Sequence, residues 1–213
     1  GYCRELQKIF SNDRFRVYTT NDIIGTELGG AMKNVIAIAA GISDGLGFGN
    51  NTRAALITRG LAEMMRLGCA MGAQASTFSG LSGMGDLIVT CTSRLSRNHT
   101  VGERLGKGEK IKNILSDMKQ VAEGAWNCSI VRNLAEEFGI EAPITSEVYA
   151  VIHKGKRPLS AVKSLMSRDV KPEYTETLNE AYNYFFFHYT ETPLLVVNTS
   201  AIDFVKRPED FND

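Results

Sequence analysis

A mainly α-helical domain is expected over most of this chain, and three features of the sequence carry that expectation. From Asp22, Ile24, Leu28, Val35, Ile36 and Ala39 recur at helical spacing until Gly41 and Gly45 interrupt them. A second run, from about Thr52 to Met71, places Leu56, Met64, Leu67 and Met71 inward and leaves Arg53, Glu63 and Arg66 to reach water. Beyond residue 96, shorter amphipathic stretches follow one another, several closed by glycine.

Taken in order, residues Cys3 to Phe10 read as an amphipathic helix with Leu6, Ile9 and Phe10 on its apolar side. After the turn Ser11-Asn12-Asp13, Phe15-Arg16-Val17-Tyr18 alternates like a short strand, so the opening resembles the close of an α/β unit. Asp22 is placed to cap the first long helix. Gly80, Gly83 and Gly85 then predict a flexible turn, with the apolar run Leu87-Ile88-Val89 and a polar segment from Thr90 to Ser96 behind it. Helices are expected from Arg97 to Leu105, from about Trp126 to Phe138, from Ser146 to His153 and from Leu159 to Met166. Trp126 and the Met64-Met65 pair read as core, His99 and His153 as ordinary polar positions, and Lys107 to Lys112 as solvated surface. After Pro172 the composition changes: Tyr184-Phe185-Phe186-Phe187-His188-Tyr189 is aromatic, and Leu194 to Val197 reads as a buried strand. Three units follow: residues 1–18, 19–172 and 173–213.

Composition narrows the function classes. The chain has 213 residues, 43% of them hydrophobic and 23% charged, which suits a globular protein with a real core. Its 24 basic and 24 acidic residues cancel, so no global field draws it to nucleic acid or an anionic membrane, and any anion must be held locally. Cys3, Cys69, Cys91 and Cys128 are scattered without a CxxC pair, which argues against a disulfide framework or a structural zinc site and for a reducing cytoplasm. No run of about 18 uninterrupted apolar residues occurs, so membrane insertion is not expected. Gly1-Tyr2-Cys3 is neither an initiator methionine nor a signal sequence, and the start reads as a truncation.

Three places could carry chemistry. Lys33 stands among small and apolar residues in Glu27-Leu28-Gly29-Gly30-Ala31-Met32-Lys33-Asn34-Val35, with Gly29 and Ala37 one turn to either side expected to leave room for a small ligand. A packed stem whose ammonium snorkels to solvent would give the same pattern. Gly80-Leu81-Ser82-Gly83-Met84-Gly85-Asp86 lacks the spacing of a dinucleotide fingerprint or a P-loop, and Asp86 either caps the next segment or sets a carboxylate beside Lys33. In Ser96-Arg97-Asn98, a good N-cap puts Arg97 in the first turn of a helix, where the macrodipole disfavours a cation. Something negative would explain it. Free amides, an arginine fork and an asparagine amide suit a phosphate or carboxylate, although a water-screened surface arginine fits too.

Together with Asn51-Thr52-Arg53-Ala54-Ala55-Leu56-Ile57-Thr58-Arg59-Gly60, Gly83-Met84-Gly85-Asp86-Leu87-Ile88, Val121-Ala122-Glu123-Gly124 and Pro143-Ile144-Thr145, these segments closely resemble the bacterial type of NAD(P)-dependent glycerol-3-phosphate dehydrogenase over about residues 1–172. The resemblance implies an all-helical substrate domain of the 6-phosphogluconate-dehydrogenase C-terminal type, preceded by the last helix and strand of a Rossmann domain. It implies Lys33 as proton donor and acceptor with Asp86 as its catalytic partner, Lys33, Asn34, Asp86, Thr90, Ser96, Arg97 and Asn98 at a small phosphorylated substrate, and Arg97, Val121 and Glu123 toward NAD or NADP. The reaction implied is interconversion of sn-glycerol 3-phosphate and dihydroxyacetone phosphate, feeding phospholipid synthesis, with a homodimer compatible. Because the glycine-rich fingerprint is absent, this polypeptide alone is expected to be inactive. The stretch 178–199 resembles instead the late part of deoxynucleoside kinases, with 202–204 matching a region near the nucleotide base there; without a P-loop it reads as a fusion or remnant. A non-catalytic oligomerisation or regulatory module, or a nucleotide-binding remnant, is the alternative.

Overall fold

In the computed structural model, residues 2–118 and 120–167 are described. They form helices α1 (Tyr2–Phe10), α2 (Ile23–Gly45), α3 (Asn50–Ala70) and α4 (Ala75–Ser79), a π-helical turn Leu81–Gly85, then α5 (Asp86–Thr92), α6 (Arg97–Gly106), α7 (Ile111–Asp117), α8 (Gly124–Glu137), α9 (Pro143–Lys154) and α10 (Pro158–Met166). No strand occurs among the described residues. The kinase-like tail predicted for 173–213 lies outside them.

The architecture is a ring of helices around α2, which packs against α3, α5, α6, α8 and α9. Met32, Val35, Ile36, Ala37, Ile38 and Ala40 of α2 are fully buried, so this helix is apolar nearly all round, as a central helix must be. Its length and composition would also let it cross a bilayer. Here that apolar surface lies against neighbouring helices, each large buried side chain contributing about 1.5 to 3 kcal/mol. Asp22 caps it as expected: Oδ1 accepts from Gly25 N at 2.9 Å, while Oδ2 accepts from Gln74 N at 2.9 Å and the Thr77 hydroxyl at 2.6 Å, tying α2 to α4.

Gly41 and Gly45, expected to break α2, lie inside it, and the helix continues to Gly45. A Cβ at Gly41 would overlap the His99 carbonyl and one at Gly102 the Ile38 carbonyl, while Gly45 and Gly106 face each other backbone to backbone. Two four-residue glycine spacings thus let α2 and α6 touch along their backbones. Asn34 pairs with Asn98, Ile38 and Ile42 lie against Gly102, and Gly45 against Gly106, so the two helices run the same way. The start of α6 therefore lies level with Lys33 and Asn34.

Other elements depart from expectation for identifiable reasons. Residues 15–18 form no strand: an isolated bridge joins Asn12 and Phe15, and Val17 gives its backbone groups to side chains, accepting from Gln7 Nε2 at 2.8 Å and donating to Ser11 Oγ at 3.1 Å. The glycine-rich segment is a tight π turn closed by Gly85 N donating to Gly80 O at 3.1 Å, with Gly83 pressed onto the Phe78 backbone. Helix α5 runs through Asp86–Thr92 where a polar loop was expected from Thr90. Helices α8 and α9 begin earlier than predicted, at Gly124 and Pro143, and α7 was not foreseen. Trp126, expected in the core, is 62% exposed, whereas Glu63, expected in water, is 1% exposed. The four cysteines are free, as their spacing predicted.

Candidate functional site

The site is assembled from three helix starts arranged about the middle of α2. Lys33 projects from α2 with its side chain 23% exposed and forms an ion pair with Asp86 Oδ2. Asp86 stands where the π turn runs on into α5, its own N–H bonded back to Leu81 O, and its side chain is left to face Lys33. Thr90, one turn on, donates its hydroxyl to the Asp86 carbonyl at 2.6 Å and lies 3.3 Å from Oδ1. Of the two readings open for Asp86, the structure realises the second: no side chain caps α5, and the Asp86 carboxylate reaches Lys33. The Lys33 ammonium is thereby held rather than snorkelling freely.

The room around Lys33 is not where the sequence placed it. A Cβ at Gly29 would collide with the Ser82 carbonyl of the π turn, and Ala37 is fully buried. Gly30 is the open position, with nothing within 4 Å of a would-be Cβ. Gly29 instead lets the turn carrying Asp86 seat against α2, which brings carboxylate and ammonium together.

Beside this pair runs a line of amides. Asn34 Nδ2 donates to Gly30 O at 3.1 Å, Asn98 Nδ2 donates to Asn34 Oδ1 at 2.9 Å, and Gly124 N donates to Asn98 Oδ1 at 2.9 Å. Asn98 is buried, at 4% exposure, so it joins α2, α6 and α8 and keeps one amide hydrogen for any ligand. Ser96 caps α6 as predicted, its hydroxyl accepting from His99 N at 3.3 Å.

Arg97 stands in the first turn of α6, exposed, and its negative partner is a protein carboxylate: Nη2 donates to Glu123 Oε1 at 3.0 Å and Nη1 to Gln120 Oε1 at 3.2 Å. Val121, 60% exposed, lies on the same segment before α8. Both members of the Arg97–Glu123 pair are over two-fifths exposed, so it is worth at most about 1 kcal/mol. A phosphate receiving charge-assisted hydrogen bonds, worth about 1.5 to 3 kcal/mol each, can compete with such a contact.

Sequence reasoning missed a second polar cluster. His99, buried at 7% exposure, donates from Nε2 to Asp44 Oδ2 at 2.8 Å. Arg53 grips the same carboxylate, Nη2 lying 2.9 Å from Oδ2 and Nε donating to Oδ1 at 3.1 Å. The available signal was polarity: Asp44 lies in the last turn of its helix and Arg53 in the first of the next, each at the end where the dipole disfavours it. Burial pushes the thiol of Cys91, beside Arg53 and Asp44, up to about 12 and that of Cys128 in α8 up to about 11, which removes both as nucleophiles near neutral pH.

Fold and site together define a helical domain with a paired ammonium and carboxylate at its centre and a guanidinium at its rim. The family profile described as NAD-dependent glycerol-3-phosphate dehydrogenase C-terminus matches residues 22–163. Glycerol-3-phosphate dehydrogenase [NAD(P)+] of Trichlorobacter lovleyi is 62% identical over 168 residues, covering 79% of this chain and 50% of that protein. The enzyme of the same name from Geobacter sulfurreducens is 58% identical over 168 residues, with the same shares. The crystal structure of glycerol-3-phosphate dehydrogenase from Coxiella burnetii superposes with a TM-score of 0.76 at 45% identity, covering 78% of this chain and 51% of that one. The structure of DsGPDH of Dunaliella salina gives 0.68 at 25% identity, with 80% and 32% covered. The chain belongs to the NAD-dependent glycerol-3-phosphate dehydrogenase family, in the part formed by its C-terminal domain. It spans about half the length of the curated relatives it matches.

Proposed function

We propose that this chain is the substrate-handling half of an NAD(P)-dependent enzyme that interconverts sn-glycerol 3-phosphate and dihydroxyacetone phosphate. The observation that carries the reading is the Lys33–Asp86 pair, a partly buried ammonium fixed by a carboxylate on the central helix of the fold. In the reducing direction the carbonyl carbon gains a hydride while its oxygen takes a proton from Lys33 Nζ; in the reverse direction Lys33 accepts the proton of the secondary hydroxyl. Because the ammonium is held before the reaction begins, it also stabilises negative charge growing on that oxygen without reorganisation. Asp86 keeps Lys33 oriented, and Thr90 steadies Asp86.

Arg97 would anchor the phosphate at the start of α6, with Ser96 and the spare Asn98 amide hydrogen beside it, so that remote binding energy aims the carbonyl. When bound, NAD or NADP supplies or accepts the hydride. The exposed Val121, with Arg97 and Glu123 beside it, offers an apolar edge, a cation and a polar acceptor that fit one end of a dinucleotide. No glycine-rich dinucleotide loop occurs in the sequence, so the remaining contacts would come from an N-terminal half.

The test is Lys33→Met in a chimera joining this chain to the N-terminal half of the Trichlorobacter lovleyi relative. Turnover should fall by roughly two or more orders of magnitude while the melting temperature changes little. Near-normal turnover would remove Lys33 from the mechanism.

A further inference from the structure

The contact between α2 and α6 is made by glycines on both sides, at Gly41, Gly45, Gly102 and Gly106. Such a contact brings two backbones close without interlocking side chains at the crossing itself, so the roll of α6 about its own axis is set by what flanks it, the buried Val101 and Leu105 and the polar groups of its first turn. The roll matters because Arg97 sits on that helix. Successive residues of an α-helix project about 100° apart, and a guanidinium reaches several ångströms beyond the helix surface, so a roll of about 10° moves it through roughly 1 Å or more.

Two polar pins in the first turn resist the roll. One is Asn98, bonded to Asn34 and Gly124. The other is His99, whose Nε2 donates at 2.8 Å to a carboxylate that Arg53 holds on its far side. The second pin is costly to assemble. Asp44 and Arg53 each sit against their helix dipoles, all three groups are largely withdrawn from water, and Asp44 has a side-chain exposure of only 15%. For stability alone, apolar residues of similar volume would serve at least as well. A directional bond adds what apolar packing does not, namely a fixed angle.

We infer that His99, clamped by Asp44 and Arg53, is a positioning residue that sets the rotation of α6 and so the aim of Arg97. It touches no reacting atom. Helices α2, α3 and α6 all join in the clamp, so the rim guanidinium is referenced to the same helix that carries Lys33. The inference rests on the reading that Arg97 holds a phosphate.

The experiment uses the chimera described above, with dihydroxyacetone phosphate and the phosphate-free dihydroxyacetone as substrates. His99→Ala keeps both members of the Asp44–Arg53 pair and removes the pin, at the cost of a small cavity. The ratio of kcat/KM for the two substrates is read, because it does not depend on how much of the enzyme is folded. His99→Ala should lower that ratio about tenfold or more, chiefly through KM for dihydroxyacetone phosphate, since a misplacement of about 1 Å can cost up to 10²-fold. His99→Gln, which keeps a side-chain N–H to meet Asp44, should recover most of it. In an Arg97→Ala background, His99→Ala should change the ratio no further. Equal losses on both substrates, or undiminished losses in the Arg97→Ala background, would overturn the positioning role and leave His99 structural. If Arg97→Ala alone leaves the ratio unchanged, the phosphate reading fails first and takes this inference with it.

Discussion

Lys33 illustrates how little a residue's type says about its state. On an exposed helix its ammonium would be hydrated and mobile; here a buried helix and Asp86 hold it. Arg97 differs, since its present partner Glu123 is a weak, exposed one that an incoming dianion can compete with. That contrast yields a prediction for Arg97→Lys in the chimera. A planar fork donates two parallel hydrogen bonds and an ammonium cannot, so kcat/KM for dihydroxyacetone phosphate should fall by roughly 10- to 150-fold despite conserved charge. Dihydroxyacetone should be nearly indifferent. Equal losses would show that Arg97 does not hold the phosphate. Asp86→Asn should also cripple turnover across neutral pH by releasing the ammonium, and a wild-type pH–rate profile would exclude that role for Asp86. Asn98 is already committed to Asn34 and Gly124, which makes it as much a strut as a ligand.

At the scale of elements, the glycines of α2 differ in what they do. Gly30 faces open space, whereas Gly41 and the opposing Gly102 lie against carbonyls of the other helix. In urea unfolding of this chain, Gly30→Ala should therefore be neutral or stabilise by up to about 1 kcal/mol. Gly41→Ala and Gly102→Ala should each destabilise by about 1 to 3 kcal/mol or more, because rigid backbone cannot yield as a side chain can. Similar effects at all three positions would refute the close crossing. The start of α9 gives a second prediction. Ala142 supplies no cap, so Glu63 of α3 does: Oε1 accepts from Ile144 N at 2.5 Å, and Oε2 accepts from Thr145 N at 3.3 Å and the Thr145 hydroxyl at 3.2 Å. Burial pushes this carboxyl up to about 7, outweighing those donors and the nearby Arg66. The folded state therefore binds the proton more tightly than the unfolded one. Stability from this group is complete below the ordinary glutamate value, falls as pH rises through about 7, and amounts to up to about 3 kcal/mol. Glu63→Gln should flatten that part of the profile between pH 5 and 8; an unchanged slope would assign it to other groups. Asp22 acts oppositely. The Thr77 hydroxyl and the Gly25 and Gln74 amides hold its carboxyl below the usual range, so its contribution is lost as pH falls.

For the molecule as a whole, the core around α2 draws its large apolar residues from α2 to α9, and that core predicts an independently folding unit. The purified 213-residue chain should show a mainly helical circular dichroism spectrum and a cooperative melt, without reducing dihydroxyacetone phosphate. Measurable reduction would mean that the missing dinucleotide fingerprint had been misjudged. Helical class, the cap at Asp22, the cap at Ser96 and the helices bearing Lys33 and Arg97 were all legible, because periodicity and capping are local properties written every three or four residues. Some misses were legible too. Glu63 falls in the stripe Gly60, Glu63, Met64, Leu67, and that stripe is buried whatever charge stands in it. What no local pattern contained was partnership across the chain: that Gly41 and Gly102 would meet, that the Glu63 carboxylate would cap a helix beginning at Pro143, and that His99 would find Asp44. Spacing along one helix says which face turns inward, but which backbone or charge waits there depends on how separate helices pack, and that is settled by the shape and polarity of surfaces that exist only once the chain has folded.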